Sequence, residues 1–331
     1  MGKVYSMTIK YLDSKRISAL AADTKPTNVE TNSILVEKDT ANRFWYDGSA
    51  WTWENLITRG VFAGGYIAAI SNICDYITIQ TTGTATDFGD LTVARTTADG
   101  VSSSTRGVIG GGGSTNVMDY ITIATTGNAT DFGDLTVARE SLGAVTDRSR
   151  GVFGGGYTTV NTNVMDYITI STTGNATDFG DLSVTRRLVQ GVYDATRGVI
   201  GGGWVSGATN IMDYITIATT GNATDFGDLT VARYNTGTAS SLTRGVWAGG
   251  QGNSNVMDYI TIATTGNATD FGDMFTGIAG SGGNSDNTRG VFAGGWVVSN
   301  MEYITIDTTG NGTDFGDLSV GRDAPAGSLE G

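Results

Sequence analysis

Short apolar stretches alternate with turn-forming residues along most of this chain. Runs such as Arg59 to Gly65 and Met118 to Ile123 combine β-branched and aromatic residues, and Gly or Thr pairs follow each run closely. β-Branched and aromatic residues favour strands, whereas frequent Gly and Thr pairs interrupt a helix before it can grow. The pattern therefore predicts an all-β protein built from short strands.

One phrase occurs six times in the sequence. Each copy contains an acid, then Tyr-Ile-Thr-Ile, Thr-Thr-Gly and Asp-Phe-Gly-Asp, and successive copies lie 44 to 47 residues apart. The six acids are Asp75, Asp119, Asp166, Asp213, Asp258 and Glu302. A unit repeated at this period indicates a repeat architecture in which every copy adopts the same local structure.

The spacing inside the repeats is constant except in one place. Twenty residues after the acid stands an Arg in five copies and Ile278 in the other, and the next Arg-Gly-Val follows 11 residues later. The five arginines are Arg95, Arg139, Arg186, Arg233 and Arg322. The arginines of Arg-Gly-Val are Arg59, Arg106, Arg150, Arg197, Arg244 and Arg289. From each of these to the following acid the interval varies from 13 to 16 residues, so all length variation falls in one predicted loop.

Each repeat contains four predicted strands, which is the size of one blade of a β-propeller. Gly-Gly ends the second strand, Tyr lies in the third, and an aromatic residue precedes Leu in the fourth. These features resemble a kelch repeat over residues 59–322, although Phe stands where kelch repeats often have Trp, as at Phe132. The resemblance implies a six-bladed kelch-like β-propeller, which we assign to residues 55–331.

The two ends of the repeat array predict how the ring closes. The first copy has no first strand before Arg59, and residues 323–331 follow the last copy. Gly327 lies five residues after Arg322, just as Gly100 lies five residues after Arg95. We therefore expect the C-terminal segment to complete the first blade beside the Arg59 strand.

Residues 1–54 differ in composition from the repeats and contain all five Lys residues of the chain. Alternation over residues 32–38, a polar turn and a second apolar run at residues 43–46 predict a β-hairpin. The segment 32–51 resembles short hairpin modules of bacteriophage tail and other virion proteins. The repeat phrase resembles kelch-like repeats in virion proteins of marine phages. These resemblances imply that residues 1–54 attach the protein to other virion proteins or join copies in a homo-oligomer; a small sheet capping the propeller is the alternative.

Charge and composition restrict the chemistry. The net charge is −13 and the chain has no His. Nucleic acids and anionic membranes bind basic surfaces, so we expect neither as a partner, and no apolar stretch is long enough to span a membrane. The N-terminus also lacks the apolar core of a signal peptide, so we expect a soluble protein. Without His, the usual triads and the common zinc and copper sites are missing, and we expect no catalytic residue, metal or cofactor.

Two sets of residues are candidates for defined roles. One acid and one Arg-Gly-Val arginine in every repeat predict six structural ion pairs between these two groups. A calcium site built from the Asp and Asn residues of each Gly-Asn-Ala-Thr-Asp-Phe-Gly-Asp turn is the second candidate, but the spacing matches no known calcium loop.

Variation among the repeats predicts where a ligand binds. Strand direction alternates in a blade, so the loops between strands two and three and between strands four and one emerge on one face, which we call the variable face. The Thr-Thr-Gly turns begin on the opposite face, which we call the uniform face. Diversity on one side of a rigid scaffold is typical of a binding surface.

Aromatic candidates for ligand binding are Tyr66, Tyr157, Trp204, Trp296, Tyr193 and Tyr234. Packing of these rings on neighbouring loops is the alternative interpretation.

These observations favour a non-enzymatic virion protein on a tail fibre or capsid surface, whose variable face contacts a glycan or protein of the host surface. Two other functions stay open. The first is a cellular kelch-like scaffold for a protein partner. The second is a polysaccharide lyase or hydrolase that relies on carboxylates and Tyr, since such chemistry needs no His.

Overall fold

The computed structural model describes residues 59–330 and five strands that precede them. These are β1 (Lys10–Asp13), β2 (Arg16–Ala19), β3 (Ile34–Glu37), β4 (Arg43–Tyr46) and β5 (Trp51–Glu54). Chain contacts separate two compact units, residues 1–57 and residues 58–331. The described residues contain strands and turns but no helix, and hence no helix capable of crossing a membrane.

The described residues of the first unit form one five-stranded sheet in the order β1-β2-β3-β4-β5. Strands β3 and β4 pair antiparallel, with Ile34 opposite Trp45. These two strands are the arms of the predicted hairpin. The turn between them lies outside the described residues. Strands β2 and β3 pair parallel, with Ile17 opposite Leu35, so the sheet extends beyond a simple hairpin.

The second unit contains 24 strands, four for each repeat. The first strands of the repeats are β9 (Asp99–Ser102), β13 (Gly143–Thr146), β17 (Gln190–Tyr193), β21 (Gly237–Ser240), β25 (Gly282–Ser285) and β29 (Ala326–Glu330). The second strands are β6 (Arg59–Ala63), β10 (Arg106–Gly110), β14 (Arg150–Gly154), β18 (Arg197–Gly201), β22 (Arg244–Ala248) and β26 (Arg289–Ala293). The third strands are β7 (Ile73–Thr78), β11 (Val117–Thr122), β15 (Val164–Thr169), β19 (Ile211–Thr216), β23 (Val256–Thr261) and β27 (Asn300–Thr305). The fourth strands are β8 (Thr86–Asp90), β12 (Thr130–Asp134), β16 (Thr177–Asp181), β20 (Thr224–Asp228), β24 (Thr269–Asp273) and β28 (Thr313–Asp317).

These strands form six antiparallel sheets of four strands each. We number them as blades: blade 1 is β29-β6-β7-β8, and blades 2 to 6 each take four successive strands from β9 onward. Each first strand contacts the first strands of both neighbouring blades, and the contact of β29 with β9 closes the circle. The six-bladed β-propeller expected from the repeat spacing is confirmed.

Blade 1 combines the two ends of the repeat array. Strand β29 pairs antiparallel with β6, placing Ala326 opposite Ala63 and Leu329 opposite Val61. Leu329 is fully buried in the hydrophobic cluster between blades 1 and 2. The C-terminal segment therefore completes the first blade as predicted, and neither end of the array can detach without breaking that sheet.

The first strands surround the axis, and at several of their positions the neighbouring backbone leaves no room for a side chain. A Cβ atom added to Gly283 would lie 1.8 Å from the carbonyl oxygen of Thr238, and one added to Gly100 would lie 2.3 Å from that of Gly327. Both distances are far below van der Waals contact. The small residues of the first strands are therefore required by the narrow radius at the centre of the ring.

The hydrophobic core lies between the blades. Each of the six joints has its own buried cluster, which combines apolar residues from two successive blades. Between blades 2 and 3, for example, Phe132 and Leu135 pack in one cluster with Ile168 and Ile170. The repeated phrase is therefore the contact surface through which every blade meets the next.

The outer edge of each blade is also covered by its neighbour. In blade 2, the N–H groups of Gly127 and Ala129 donate to the carbonyl oxygens of Phe88 and Asp90 in blade 1, at 2.7 and 2.8 Å. The side-chain Oδ1 of Asn128 accepts the N–H of Asp90 at 3.1 Å. The Thr-Thr-Gly-Asn-Ala-Thr segment thus protects an exposed strand edge, which explains why it scarcely varies.

Cys74 occupies the third-strand position that is Met in the other five blades. It is a free, buried cysteine within β7. Burial raises the pKa of its thiol to about 12, so the side chain stays protonated and acts as a small apolar residue.

Candidate functional site

The variable loops of neighbouring blades are joined into one continuous surface. The N–H of Tyr157, in a loop between strands two and three, donates to the carbonyl oxygen of Glu140 at 2.7 Å. Trp204 donates to Arg187 at 2.7 Å in the same way. Residues that follow Gly-Gly therefore lie beside the segment that enters the first strand, and both variable segments share one face.

A closed ring of backbone hydrogen bonds surrounds the axis on this face. One residue from each blade adopts a left-handed conformation, and its N–H donates to the carbonyl oxygen of the equivalent residue in the preceding blade at 2.7 to 3.3 Å. The six residues are Thr97, Ser141, Leu188, Asn235, Gly280 and Ala324. The cavity that they line is about 20 Å³, which is room for roughly one water molecule. A ligand on this face therefore has to bind across the loops rather than within the axis.

Three candidate aromatic residues and one arginine form a connected group, which we call the aromatic row: Tyr157, Arg187, Trp204 and Tyr234. The Arg187 guanidinium lies 4.5 Å from the centre of the Tyr157 ring, in a cation–π geometry. The Trp204 and Tyr234 rings meet edge to face with centroids 5.2 Å apart. All four side chains are half-buried, so the row combines mutual packing with accessible ring surface.

The other two candidates on this face flank the seam between blades 6 and 1. Tyr66 and Trp296 are 42% and 65% exposed, and both contact Asp323. We call Tyr66, Ile70, Trp296, Val297 and Asp323 the seam patch. Burial raises the pKa of the Asp323 carboxyl, while hydrogen bonds from the N–H groups of Trp296 and Ala324 oppose the increase.

Tyr193 is the one aromatic candidate that the structure places elsewhere. It is the last residue of β17, at the uniform-face end of that strand, and only 8% of it is exposed. Its N–H donates to the hydroxyl of Ser240 in the next blade at 3.0 Å. The prediction that Tyr193 extends the binding surface is wrong, because a first strand runs along the axis away from the variable face.

The sequence matches no known protein family and no curated protein. The order and contacts of the strands establish the propeller architecture, and the role of the variable face has to be argued from its own residues.

The six acids do enter structural contacts, but not with the arginines that the repeat pattern suggested. In five joints the Asp forms a buried ion pair with the arginine that lies between the fourth strand of the preceding blade and the next first strand. The pairs are Arg95–Asp119, Arg139–Asp166, Arg186–Asp213, Arg233–Asp258 and Arg322–Asp75. Burial lowers the pKa of Arg95, Arg186, Arg233 and Arg322, and the paired carboxylates oppose this change.

The strand register explains why the Arg-Gly-Val arginine cannot reach the acid. Arg106 lies opposite Thr122, whereas Asp119 lies opposite Ile109, nearer the variable face. Arg106 instead places its guanidinium 4.4 Å from the centre of the Tyr120 ring. The same contact recurs in all six blades, so the predicted pairing of Arg59, Arg106, Arg150, Arg197, Arg244 and Arg289 with the acids is wrong.

These arginines also connect blades. Arg106 donates through Nη1 to the carbonyl oxygen of Ile170 in blade 3, at 3.1 Å. Equivalent bonds of 3.0 to 3.2 Å occur from the other five arginines. Each guanidinium therefore holds its own Tyr and the next blade at once.

The joint between blades 5 and 6 departs from the other five at several positions together. Ile278 replaces the Arg, Glu302 replaces the Asp, and Phe275 stands where the other copies have Thr or Ser. Phe275 is 75% exposed on the variable-face side. The sequence interpretation missed this residue, although a single Phe in an otherwise hydroxyl-bearing column was the available signal.

Metal binding finds no support in the part of the chain that the structure describes. No group of three or more His, Cys, Asp or Glu side chains converges among those residues. The Asn side chains considered as calcium ligands are engaged instead, since Asn128, Asn175, Asn222, Asn267 and Asn311 each accept a backbone N–H of the preceding blade.

Proposed function

We propose that this protein is a non-enzymatic recognition propeller of a virion, which binds a ligand on the host surface through its variable face. The observation that carries the proposal is the separation of the two faces. Residues that differ among the repeats converge on one side, while the repeated segments form the joints and the opposite side. Binding surfaces are commonly built from variable loops on a rigid scaffold.

The backbone of this face supports binding with little rearrangement. The hydrogen-bonded ring around the axis and the bonds between neighbouring loops hold the variable segments in place. A surface ordered before binding loses less conformational entropy when the ligand arrives, so more of the contact energy appears as affinity. The closed ring of blades holds all six loops in a fixed conformation in the same way.

The aromatic row supports recognition of a sugar or protein surface. Tyr and Trp offer flat apolar area together with a polar tip, and such residues dominate the energetics of many interfaces. Arg187 adds a fixed positive charge beside Tyr157. Half-buried rings held by their neighbours present this area at low entropic cost.

The closed axis favours surface binding over catalysis. The cavity at its mouth has a volume of about 20 Å³, far below the roughly 300 Å³ of a small-molecule site. A reaction that encloses its substrate at the axis would need a much wider opening.

The virion context rests on the sequence resemblances of the repeat phrase and of residues 32–51. The separate five-stranded sheet in residues 1–57 is compatible with an attachment module. In this proposal the first unit binds other virion proteins and the propeller remains available to the host surface.

Competition for adsorption tests the proposal. Excess purified full-length protein should reduce the adsorption of virus particles encoding it to their host cells. The variant Trp204→Ala/Tyr234→Ala should compete less well, whereas Thr126→Ala, an exposed residue of the uniform segment, should compete normally. Failure of the wild-type protein to compete, or cryo-electron micrographs of particles that lack the propeller, would refute it.

A further inference from the structure

We propose that the seam patch is a subsite for one neutral pyranose residue of a surface glycan, with Trp296 and Tyr66 as stacking platforms and Asp323 as the hydroxyl acceptor. This inference rests on the proposed function of the variable face and deepens it by naming a ligand class and its position.

The loop of blade 6 differs from the other variable loops in the bond that fixes its first residue. After Gly-Gly, the N–H group in blades 1 to 5 donates to a main-chain carbonyl of the segment entering that blade's own first strand. The N–H of Trp296 instead donates to the side-chain Oδ1 of Asp323 at 3.2 Å. Asp323 belongs to the segment that enters blade 1, so the tip of this loop is tied across the seam.

The same aspartate is tied to the loop of blade 1. Its N–H donates to the carbonyl oxygen of Tyr66, and the N–H of Tyr66 donates to its carbonyl oxygen, both at 2.8 Å. Tyr66 also forms an isolated bridge with Ile70, which is half-exposed. Asp323 therefore joins the two loops, with its carboxylate bonded to Trp296 and its backbone bonded to Tyr66.

The exposure of these residues indicates a role outside the core. Trp296 is 65% exposed, and Val297 next to it is 45% exposed. Both residues adopt left-handed backbone conformations, with φ values of 47° and 62°. This conformation is unfavourable for Trp and especially for a β-branched Val, and such strain is concentrated at functional sites.

The combination of groups matches the chemistry of a pyranose ring. One face of such a ring presents C–H groups that stack on an aromatic surface, while its edge carries hydroxyl groups. An ionised carboxylate accepts up to about four hydrogen bonds, so Asp323 retains acceptor capacity beyond the bonds from Trp296 and Ala324. Bonds from sugar hydroxyls to a carboxylate are charge-assisted and therefore strong.

Charge selects neutral sugars over acidic ones. Asp323 is the one charged member of the seam patch, and the chain carries a net charge of −13. A uronate or sulfated sugar would bring a second negative charge beside this carboxylate. The aromatic row contains the cationic Arg187 instead and would favour an acidic ligand.

Binding of defined polysaccharides to the full-length protein tests the subsite. The probes are a neutral mannan, a neutral galactan and a neutral β-glucan, with alginate as the acidic control. We expect the wild-type protein to bind at least one neutral probe. Trp296→Ala and Tyr66→Ala should each weaken that binding by roughly tenfold or more, whereas Thr126→Ala, outside the variable face, should leave it within about twofold.

The variant Asp323→Asn distinguishes an effect on sugar binding from an effect on stability. The amide keeps an Oδ1 acceptor for the N–H of Trp296 but loses the charge that strengthens sugar hydrogen bonds. We expect weaker binding of the neutral probe with an unchanged thermal unfolding midpoint.

The alternative outcomes are distinguishable. Loss of neutral-probe binding in Trp204→Ala but not in Trp296→Ala would overturn the seam subsite and leave recognition through the variable face intact. Binding to alginate alone, or to none of the probes, would overturn the neutral-sugar assignment even if the protein competes for adsorption. Failure in the adsorption assay, with neutral-probe binding still dependent on Trp296, would overturn the host-surface role and keep the subsite.

Discussion

The side-chain carboxylate of Glu302 accepts a hydrogen bond from the backbone N–H of Phe275, at 2.7 Å. The N–H of Thr276 donates to the same carboxylate at 2.6 Å. At the corresponding position of another joint, the shorter Asp213 accepts the hydroxyl and N–H of Ser183 and forms an ion pair with Arg186. The extra methylene of Glu lets the carboxylate reach a second backbone donor, the N–H of Thr276, where the hydroxyl and the guanidinium are missing.

A fourth exchange accompanies these three. Gly312 replaces the Ala found in the other five blades, and a Cβ atom added there would lie 2.8 Å from the Oε2 atom of Glu302. The joint between blades 5 and 6 has therefore changed as a unit. An acid, its basic partner, its hydroxyl partner and a neighbouring methyl group have been replaced together.

Restoring the common pair at this joint should show coupling between the two positions. Ile278→Arg leaves Glu302 in place, and Glu302→Asp alone shortens the carboxylate away from the N–H of Thr276, so each single change should lower the free energy of unfolding. Together they recreate an Arg–Asp pair, and we expect a favourable coupling of about 0.5–3 kcal/mol in a double-mutant cycle by urea denaturation.

The reciprocal double-mutant cycle, at the joint between blades 2 and 3, is the control. Arg139→Ile and Asp166→Glu create the exceptional combination in a joint that keeps its Thr and Ala. We expect less recovery there, because those residues do not fit the longer carboxylate. Additive effects in both cycles would contradict the interpretation that the exchanges compensate one another.

The buried carboxylate of Glu302 should make stability depend on pH in a direction opposite to that of an ion-paired acid. Burial raises its pKa above the ordinary value of 4.5, although three hydrogen bonds from Thr276 and Phe275 oppose this. A carboxyl with a raised pKa in the folded state contributes stability below its unfolded pKa, and this contribution is lost as pH rises through the folded value.

Glu302→Gln removes this titration and leaves the other groups unchanged. The free energy of unfolding of the wild-type protein, minus that of Glu302→Gln, should therefore fall as pH increases above 4.5 and then level off. Urea denaturation of both proteins across this pH range measures the difference. A difference that rises with pH would contradict the assigned direction of the pKa.

The two arginines of blade 2 should differ clearly in their contribution to stability. Arg139 is fully buried against Asp166, so Arg139→Met leaves an unpaired buried carboxylate and should cost about 3–5 kcal/mol. Arg106 is half-buried on Tyr120, so Arg106→Met loses a cation–π contact and one hydrogen bond to Ile170, at about 1–2 kcal/mol. Denaturation of both variants measures the ranking. The reverse order would indicate that Arg106 is the essential partner.

The packing around the axis should not tolerate the addition of even one methyl group. Gly283→Ala would place Cβ 1.8 Å from the carbonyl oxygen of Thr238, and we expect a loss of about 3 kcal/mol with displacement of β25. Gly207→Ala is the matched control, since nothing lies within 4 Å of its added Cβ and its φ is outside the left-handed region. Its stability should change by less than about 1 kcal/mol. Similar losses in both variants would show that the axis is not the limiting feature.

The choice of ionic partner shows where sequence interpretation reaches its limit. Both arginines follow the acid of one repeat at a constant distance and precede the acid of the next repeat at a variable one, so spacing alone could not distinguish them. The strand register decided the matter by placing Arg106 opposite Thr122, away from Asp119. The partner of each Asp lies in the preceding blade, and contacts between blades are set by the closed ring rather than by local sequence.

The grouping of the candidate residues on the variable face was predictable to a similar degree. The variable intervals placed Tyr66, Tyr157, Trp204, Trp296 and Tyr234 on one face, because loops at the same end of alternating strands must emerge together. The packing of Trp204 on Tyr234 depends on side chains from adjacent blades, and the sequence does not contain that distance. Tyr193 was misplaced because the sequence of a first strand does not show whether its last residue faces the axis or the surface.

By itself, the sequence determined that this protein is a closed ring of six similar β-sheet blades completed by its own C-terminal segment. Six repeats spaced 44 to 47 residues apart, small residues in the first strands and a strand missing at one end together favour this arrangement. The tertiary structure alone decided which charges meet, that the axis is closed by a ring of backbone hydrogen bonds, and that Asp323 joins two loops at the seam. These features bring together residues from different blades, and their geometry exists only after the ring has closed.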